Sequence, residues 1–216
     1  VAEDRNSHGT HVAGTIAASI GNKVGIVGVA PRAKIMALRV LPRCKTGDTS
    51  CDRRLDCPEL FLQGKDIFMH ALRYAADNGA KVVNASLGAR KEFFPVQKSG
   101  LQTRTIEYMR SRGVLLVHAA GNEENNNDAV NTVGWDDDLE NVIEVAASDR
   151  GDNLAYFSNY GSRLVDVAAP GVGILSTVPG NSYGWKDGTS MAAPHVAGAA
   201  GLLLAKAPAL SPQEIR

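Results

Sequence analysis

The sequence predicts an α/β protein of three layers, with a mainly parallel central sheet covered by helices on both faces. Three observations carry that prediction. Short runs such as Val114–Ala120 and Val142–Ala147 are apolar almost throughout, as in strands buried on both faces. These runs alternate with segments of helical period, the order of βαβ units. With 216 residues, 44% of them apolar, the chain can bury the core of one domain.

The elements follow in order. Lys34–Leu41 reads as a strand, with Ile35, Ala37, Val40 and Leu41 apolar. Cys44–Gly64 is polar, mixed in charge and weakly periodic, and reads as an insertion. Lys65–Asn78 carries Ile67, Phe68, Ala71, Leu72, Ala75 and Ala76 at helical spacing, with Gly79 as the stop. Lys81–Leu87 is a Val-rich strand, and Thr103–Ser111 a helix ended by Gly113. Val114–Ala120, Val142–Ala147 and Leu164–Ala169 are further strands. Ala192–Ala205 reads as a buried helix, since no apolar run approaches the roughly 20 residues of a membrane span. Ser211 and Pro212 fit the cap and first position of a last helix. Ligands of such sheets sit beyond the carboxyl ends of strands, so the residues after Leu87, Ala120 and Ala169 are the ones to inspect.

Charge narrows the function. Lys plus Arg equals Asp plus Glu at 23 each, which leaves no electrostatic footprint for nucleic acid or an anionic membrane. The three cysteines, Cys44, Cys51 and Cys57, are an odd number. They allow one bridge plus a free thiol, or a pairing outside this chain, and their spacing matches no zinc pattern. The chain opens without Met or a signal segment, as a mature or partial chain does.

Three clusters carry chemistry. In Asn6-Ser7-His8-Gly9-Thr10-His11, His8 opens a helix among small neighbours. The positive helix end favours a neutral imidazole, able to accept a proton from a nucleophile. His8 and His11 as a metal pair would lack the Glu and the four-residue spacing of a zinc helix. In Asp187-Gly188-Thr189-Ser190-Met191-Ala192, small residues crowd one serine ahead of a long apolar helix. Ser190 can be an N-cap, or a nucleophile whose oxyanion meets first-turn N–H groups. In Val117-His118-Ala119-Ala120-Gly121-Asn122, an apolar strand ends in Gly-Asn. Asn122 can be a turn residue or an amide donor into a cleft.

Together the clusters resemble the subtilisin-like serine proteases, and Gly25–Pro31, Val83–Gly88 and Phe157–Pro179 add to the likeness. The resemblance implies a subtilisin-like fold and acyl transfer, with Ser190 as nucleophile, His8 as general base and Asn122 as oxyanion donor. The family's catalytic aspartate lies upstream of its histidine, and Asp4 is too near His8 to be it. The expectation is a catalytic domain cut short at both ends and carrying an insertion at 44–64. The resemblance also implies that substrate backbone pairs with Ser86, Leu87 and Gly88. Ala119, Ala120 and Gly121 would wall the main pocket and Gly134 would floor it, for a large apolar residue before the scissile bond, with Glu123 at the rim able to admit a basic one. A structural calcium ion would take the Asn22 side chain and the carbonyls of Ile20, Val24 and Ile26. Protein or peptide substrates, an N-terminal propeptide, a monomer, and secretion to an extracytoplasmic space are further implications. Two other readings compete. One is a binding protein that keeps the fold without the activity. The other is an esterase, although the Gly-x-Ser-x-Gly elbow is absent around Ser190.

Overall fold

A computed structural model describes residues 4, 6–40, 58–87, 100–129 and 139–216, with the backbone alone at 58–66. Four parallel strands form one sheet in the order β1 (Val82–Ala85), β2 (Leu115–Ala119), β3 (Val142–Ser148) and β4 (Val167–Pro170). Register sets Ala85, His118 and Glu144 side by side, so residues two apart along each strand share a face.

The two faces are covered differently. Leu115, Val117, Ala119, Val145 and Ala147 meet Ala192, Ala193, Ala197 and Ala200 of helix α4 (Thr189–Lys206). A helix surface of alanines lets its backbone lie close to the sheet. On the other face Leu116 and Val142, with Val114 just ahead of β2, meet larger side chains. These are Leu72 of helix α2 (Pro58–Asp77) and Ile106 and Met109 of helix α3 (Gly100–Ser111). The predicted three layers are present. Helix α1 (His8–Ala17) packs on α4, and an antiparallel hairpin of β5 (Ile174–Val178) and β6 (Ser182–Lys186) packs on α1. Helix α5 (Pro212–Ile215) starts on the expected cap: Ser211 and Glu214 form a reciprocal capping box.

One expectation is corrected. Residues 34–40 join no ladder among the described residues, and Ile35 and Met36 are 47% and 42% exposed. An apolar run becomes a strand only when a neighbour takes its hydrogen bonds, and among the described residues none does. Leu41, at its end, lies outside the described residues. Two boundaries also move. β4 begins at Val167 rather than Leu164, and α2 begins at Pro58, inside the stretch read as an irregular insertion. Cys44, Cys51 and Cys57 lie outside the described residues. The β5–β6 hairpin was not foreseen, because Ser176, Thr177, Ser182 and Gly184 blur its alternation.

Candidate active site

The start of α4 is built by loss of one helical bond. Pro194 has no N–H, so the Ser190 carbonyl four residues earlier has no helical donor. Ser86, just past β1, supplies one instead: its hydroxyl donates to the Ser190 carbonyl at 2.7 Å. In return Ser190 Oγ donates to the Ser86 carbonyl at 3.3 Å, and Asn84 Nδ2 donates to Ser86 Oγ at 2.9 Å. The end of β1 and the start of α4 are thereby tied across 104 residues. Gly188, at φ 143°, precedes the helix and accepts from the N–H groups of Met191 and Ala192. Of the other first-turn donors, the Thr189 N–H is taken by Asn122 Oδ1.

Asn122 sits in the turn beyond β2. Its Oδ1 accepts from the Thr189 N–H at 2.8 Å and the Thr189 hydroxyl at 3.0 Å. That hydroxyl in turn accepts from the Gly121 N–H at 3.2 Å. Two donors on Oδ1 fix the orientation of the amide, so Nδ2 points away from Thr189. Gly121 has φ 111°, and a Cβ there would collide with the Asn159 amide. The Ala120 carbonyl accepts from both Asn127 Nδ2 and Asn159 Nδ2, at 3.0 and 2.9 Å.

His8 is the first residue of α1. Ser7, before it, is left-handed at φ 69° and offers no side-chain cap. The cap is Asp4. One oxygen accepts from the N–H groups of Asn6 and Ser7 at 2.8 and 2.9 Å; the other accepts from the Thr10 N–H and hydroxyl at 2.8 and 2.6 Å. Burial pushes this carboxyl up, but the Thr10 hydroxyl and the three N–H groups outweigh it and hold it below its usual value. Both Asp4 oxygens are thus committed to the helix start.

The first turns of α1 are fastened to the hairpin. Ser176 Oγ donates to the His11 carbonyl at 2.7 Å and Thr177 Oγ1 to the Thr10 carbonyl at 2.9 Å. His11 is fully buried, with Nε2 3.1 Å from the carbonyls of Ile174 and Gly184. Two carbonyl partners require an N–H at Nε2. Burial and the Lys186 charge push its pKa down against the pull of those carbonyls, which favours the neutral imidazole. With the proton on Nε2, the lone pair of the ring is on Nδ1, which is buried and has no hydrogen-bond partner among the described residues. Beside the residues that precede His8, a cavity of about 600 Å³ is lined by Asp4, Asn6, Ser7, Val178, Trp185 and Lys186, among others.

The other expected site residues are placed as follows. Ser86 is buried and Leu87 partly buried just past β1, while Gly88 and Gly134 lie outside the described residues. Ala119 and Ala120 are buried, Ala119 within the core against α4. The loop of Ile20, Asn22, Val24 and Ile26 is exposed, and Asn22 Oδ1 accepts from the Val24 N–H at 3.1 Å. Its donors are all oxygens, the kind calcium takes, but they number four where calcium takes about six to eight. Among the described residues no three His, Cys, Asp or Glu gather as a metal set. Two residues of the site, Thr189 and Asn159, were not singled out from sequence, and the capping role of Asp4 was not foreseen. A Thr directly before the serine and an Asn in the Phe157–Pro179 stretch were the available signals.

A sequence model of the subtilase family matches residues 1–216. The chain is 44% identical to the thermophilic serine proteinase of Bacillus sp. (strain AK1) over 93% of its own length and 43% of the relative's. It is 40% identical to subtilisin Savinase of Lederbergia lenta over 99% of its length and 69% of the relative's. A cold-adapted subtilisin-like serine proteinase of known structure superposes with a TM-score of 0.74 at 32% identity, covering 99% of this chain and 66% of that one. The chain therefore spans from under half to about two-thirds of the length of these relatives. On a family match over residues 1–216, relatives of 40% identity and more, and a shared fold, the chain belongs to the subtilase family.

Proposed function

We propose that the chain is the larger part of a serine endopeptidase domain that cleaves proteins or peptides by acyl transfer. The observation that carries the reading is the locked amide of Asn122. With Oδ1 held by Thr189, Nδ2 is a donor preorganised beside Ser190, which costs no reorientation during reaction. Ser190 Oγ attacks the carbonyl, and His8 takes its proton and returns it to the leaving amine. The oxyanion is held by Asn122 Nδ2 and the Ser190 N–H. The carboxylate that orients His8 is expected ahead of residue 1; Asp4, engaged by Asn6, Ser7 and Thr10, is poorly suited to that part.

Substrate backbone pairs along Ser86, Leu87 and Gly88, and Ala119, Ala120, Gly121 and Gly134 shape a pocket for large apolar residues. A calcium ion would be held by the Asn22 side chain and the carbonyls of Ile20, Val24 and Ile26, where it would stiffen the loop. No helix among the described residues is long and apolar enough to cross a membrane. Secretion, a propeptide and a monomeric state complete the proposal.

The test is covalent labelling by a fluorophosphonate together with peptide turnover. Labelling should fall on Ser190 and vanish in His8→Ala. Asn122→Ala should lower kcat by about 10²–10³, a range established on a subtilisin's own oxyanion asparagine. A folded protein that neither labels nor turns over peptide would instead support the binding-protein reading.

A further inference from the structure

Asn122 lies in a turn with no regular structure of its own, flanked by Gly121 at φ 111° and Glu124 at φ 56°. Something else must hold the turn's backbone to a fraction of an ångström, because a donor displaced by about 1 Å can forfeit about 10²-fold in rate. Thr189 fixes the amide end of Asn122. The backbone end is held by bonds of Glu124 and Asn125 to the main chain of Phe157 and Tyr160, and by one residue of that same distant loop whose side chain bridges both sides of Asn122.

That residue is Asn159, which is 2% exposed. Its Nδ2 donates to the Ala120 carbonyl at 2.9 Å and to Glu123 Oε2 at 2.9 Å. Its Oδ1 accepts from the N–H groups of Glu123 and Asn125 at 2.9 and 3.1 Å. Its own N–H donates to the Gly121 carbonyl at 3.0 Å. Both amide protons and both lone pairs are used, and the five bonds fall on either side of Asn122. The Glu123 carboxylate, held by Asn159, also accepts from the Asn122 N–H at 3.0 Å. The side chain that Gly121 leaves out would occupy the place of the Asn159 amide, so the turn and the clamp fit only together.

We propose that Asn159 is a positioning residue for catalysis: it clamps the 120–125 turn so that Asn122 is delivered to the oxyanion. The inference rests on the endopeptidase reading above. No other residue type at 159 serves as well. Aspartate of the same shape would lose both donors and oppose the Glu123 carboxylate, and serine would reach one side of the turn at most.

The experiment is a double-mutant cycle in kcat and KM on an apolar peptide substrate. Asn159→Ser should lower kcat by about 10- to 100-fold with KM changed by no more than about twofold. In the Asn122→Ala background the same change should cost no more than about twofold, since there is no longer a donor to aim. Glu123→Ala, at an exposed position, removes one of the five clamp bonds and leaves the other four; it is the second variant, in case Asn159→Ser folds poorly. It should lower kcat by a smaller factor, and that loss too should disappear in the Asn122→Ala background. Losses that multiply with Asn122→Ala, or that appear only in KM, would overturn the positioning role. A folded Asn159→Ser protein with wild-type kcat would overturn it as well. A wild-type protein without turnover would sink the endopeptidase reading and this inference together, an outcome distinct from the other three.

Discussion

The two helix starts on which the proposed chemistry rests are held in opposite ways. At α4, Ser190 is fixed by residues remote in sequence: Asn122, 67 positions from Thr189, and Ser86, 104 positions away. At α1, the turn that opens with His8 is fixed by a carboxylate in the same short segment, six residues before Thr10. The serine end is therefore a product of tertiary structure, and the histidine end is largely a local motif backed by the hairpin. The contrast teaches that one can be disturbed by substitutions across the fold, while the other answers mainly to its own neighbours.

The sharpest way to break the comparison is at Thr189. Thr189→Val removes the hydroxyl shared by Gly121 and Asn122 and leaves only the N–H on Oδ1. One such bond is worth about 1.4 kcal/mol at the upper end, so kcat should fall about tenfold with KM nearly unchanged. An unchanged kcat would mean that the N–H alone orients the amide.

Asp4→Ala should act on stability more than on chemistry. Losing a helix cap costs about 1 kcal/mol, visible as a lower Tm, with a smaller loss in turnover. The Asp4 carboxyl is held below its ordinary value of 3.8 in the folded protein. Its stabilisation is therefore complete above that value and is lost as the pH falls through the lower folded one. Wild type and variant should converge in stability in strong acid, and persistent divergence would show that the cap is not the source.

The smallest effect belongs to His11. Its folded pKa lies below 6.5, so the unfolded chain gains a proton first as the medium is acidified. Stability should begin to decline just below pH 6.5 and go on declining toward the folded pKa. His11→Gln should flatten part of that slope, which urea titrations between pH 5 and 7 would read. Some slope should remain, because burial also lowers the His195 pKa against its bond to the Met191 carbonyl. An unchanged slope would exclude His11 as the sensor.

Legibility in the sequence followed the same divide. His8, Asn122 and Ser190 could be proposed from sequence because each sits in a cluster whose small neighbours and helix or strand boundary are encoded within a few residues. The layers were readable because β2 and β3 are apolar on both faces. Asn159 was not, since nothing near it in sequence says that its amide closes on Ala120, Glu123 and Asn125. The missing ladder at 34–40 has a related cause: a strand is a property of a pair, and a sequence pattern describes only one member. Asp4 was weighed as a catalytic carboxylate and set aside on spacing alone, whereas its capping role depends on the left-handed turn at Ser7.

The bonds across 67 and 104 residues also bear on the order of events in folding. Contacts between such distant segments form only after long loops have been closed, which makes them late and slow. On the proposed reading, Ser190 would acquire its oxyanion donor only when the turn after β2 docks on the start of α4. A nascent chain would then carry the nucleophile for some time without the means to use it, and would be spared by its own kind until the fold that resists digestion is complete.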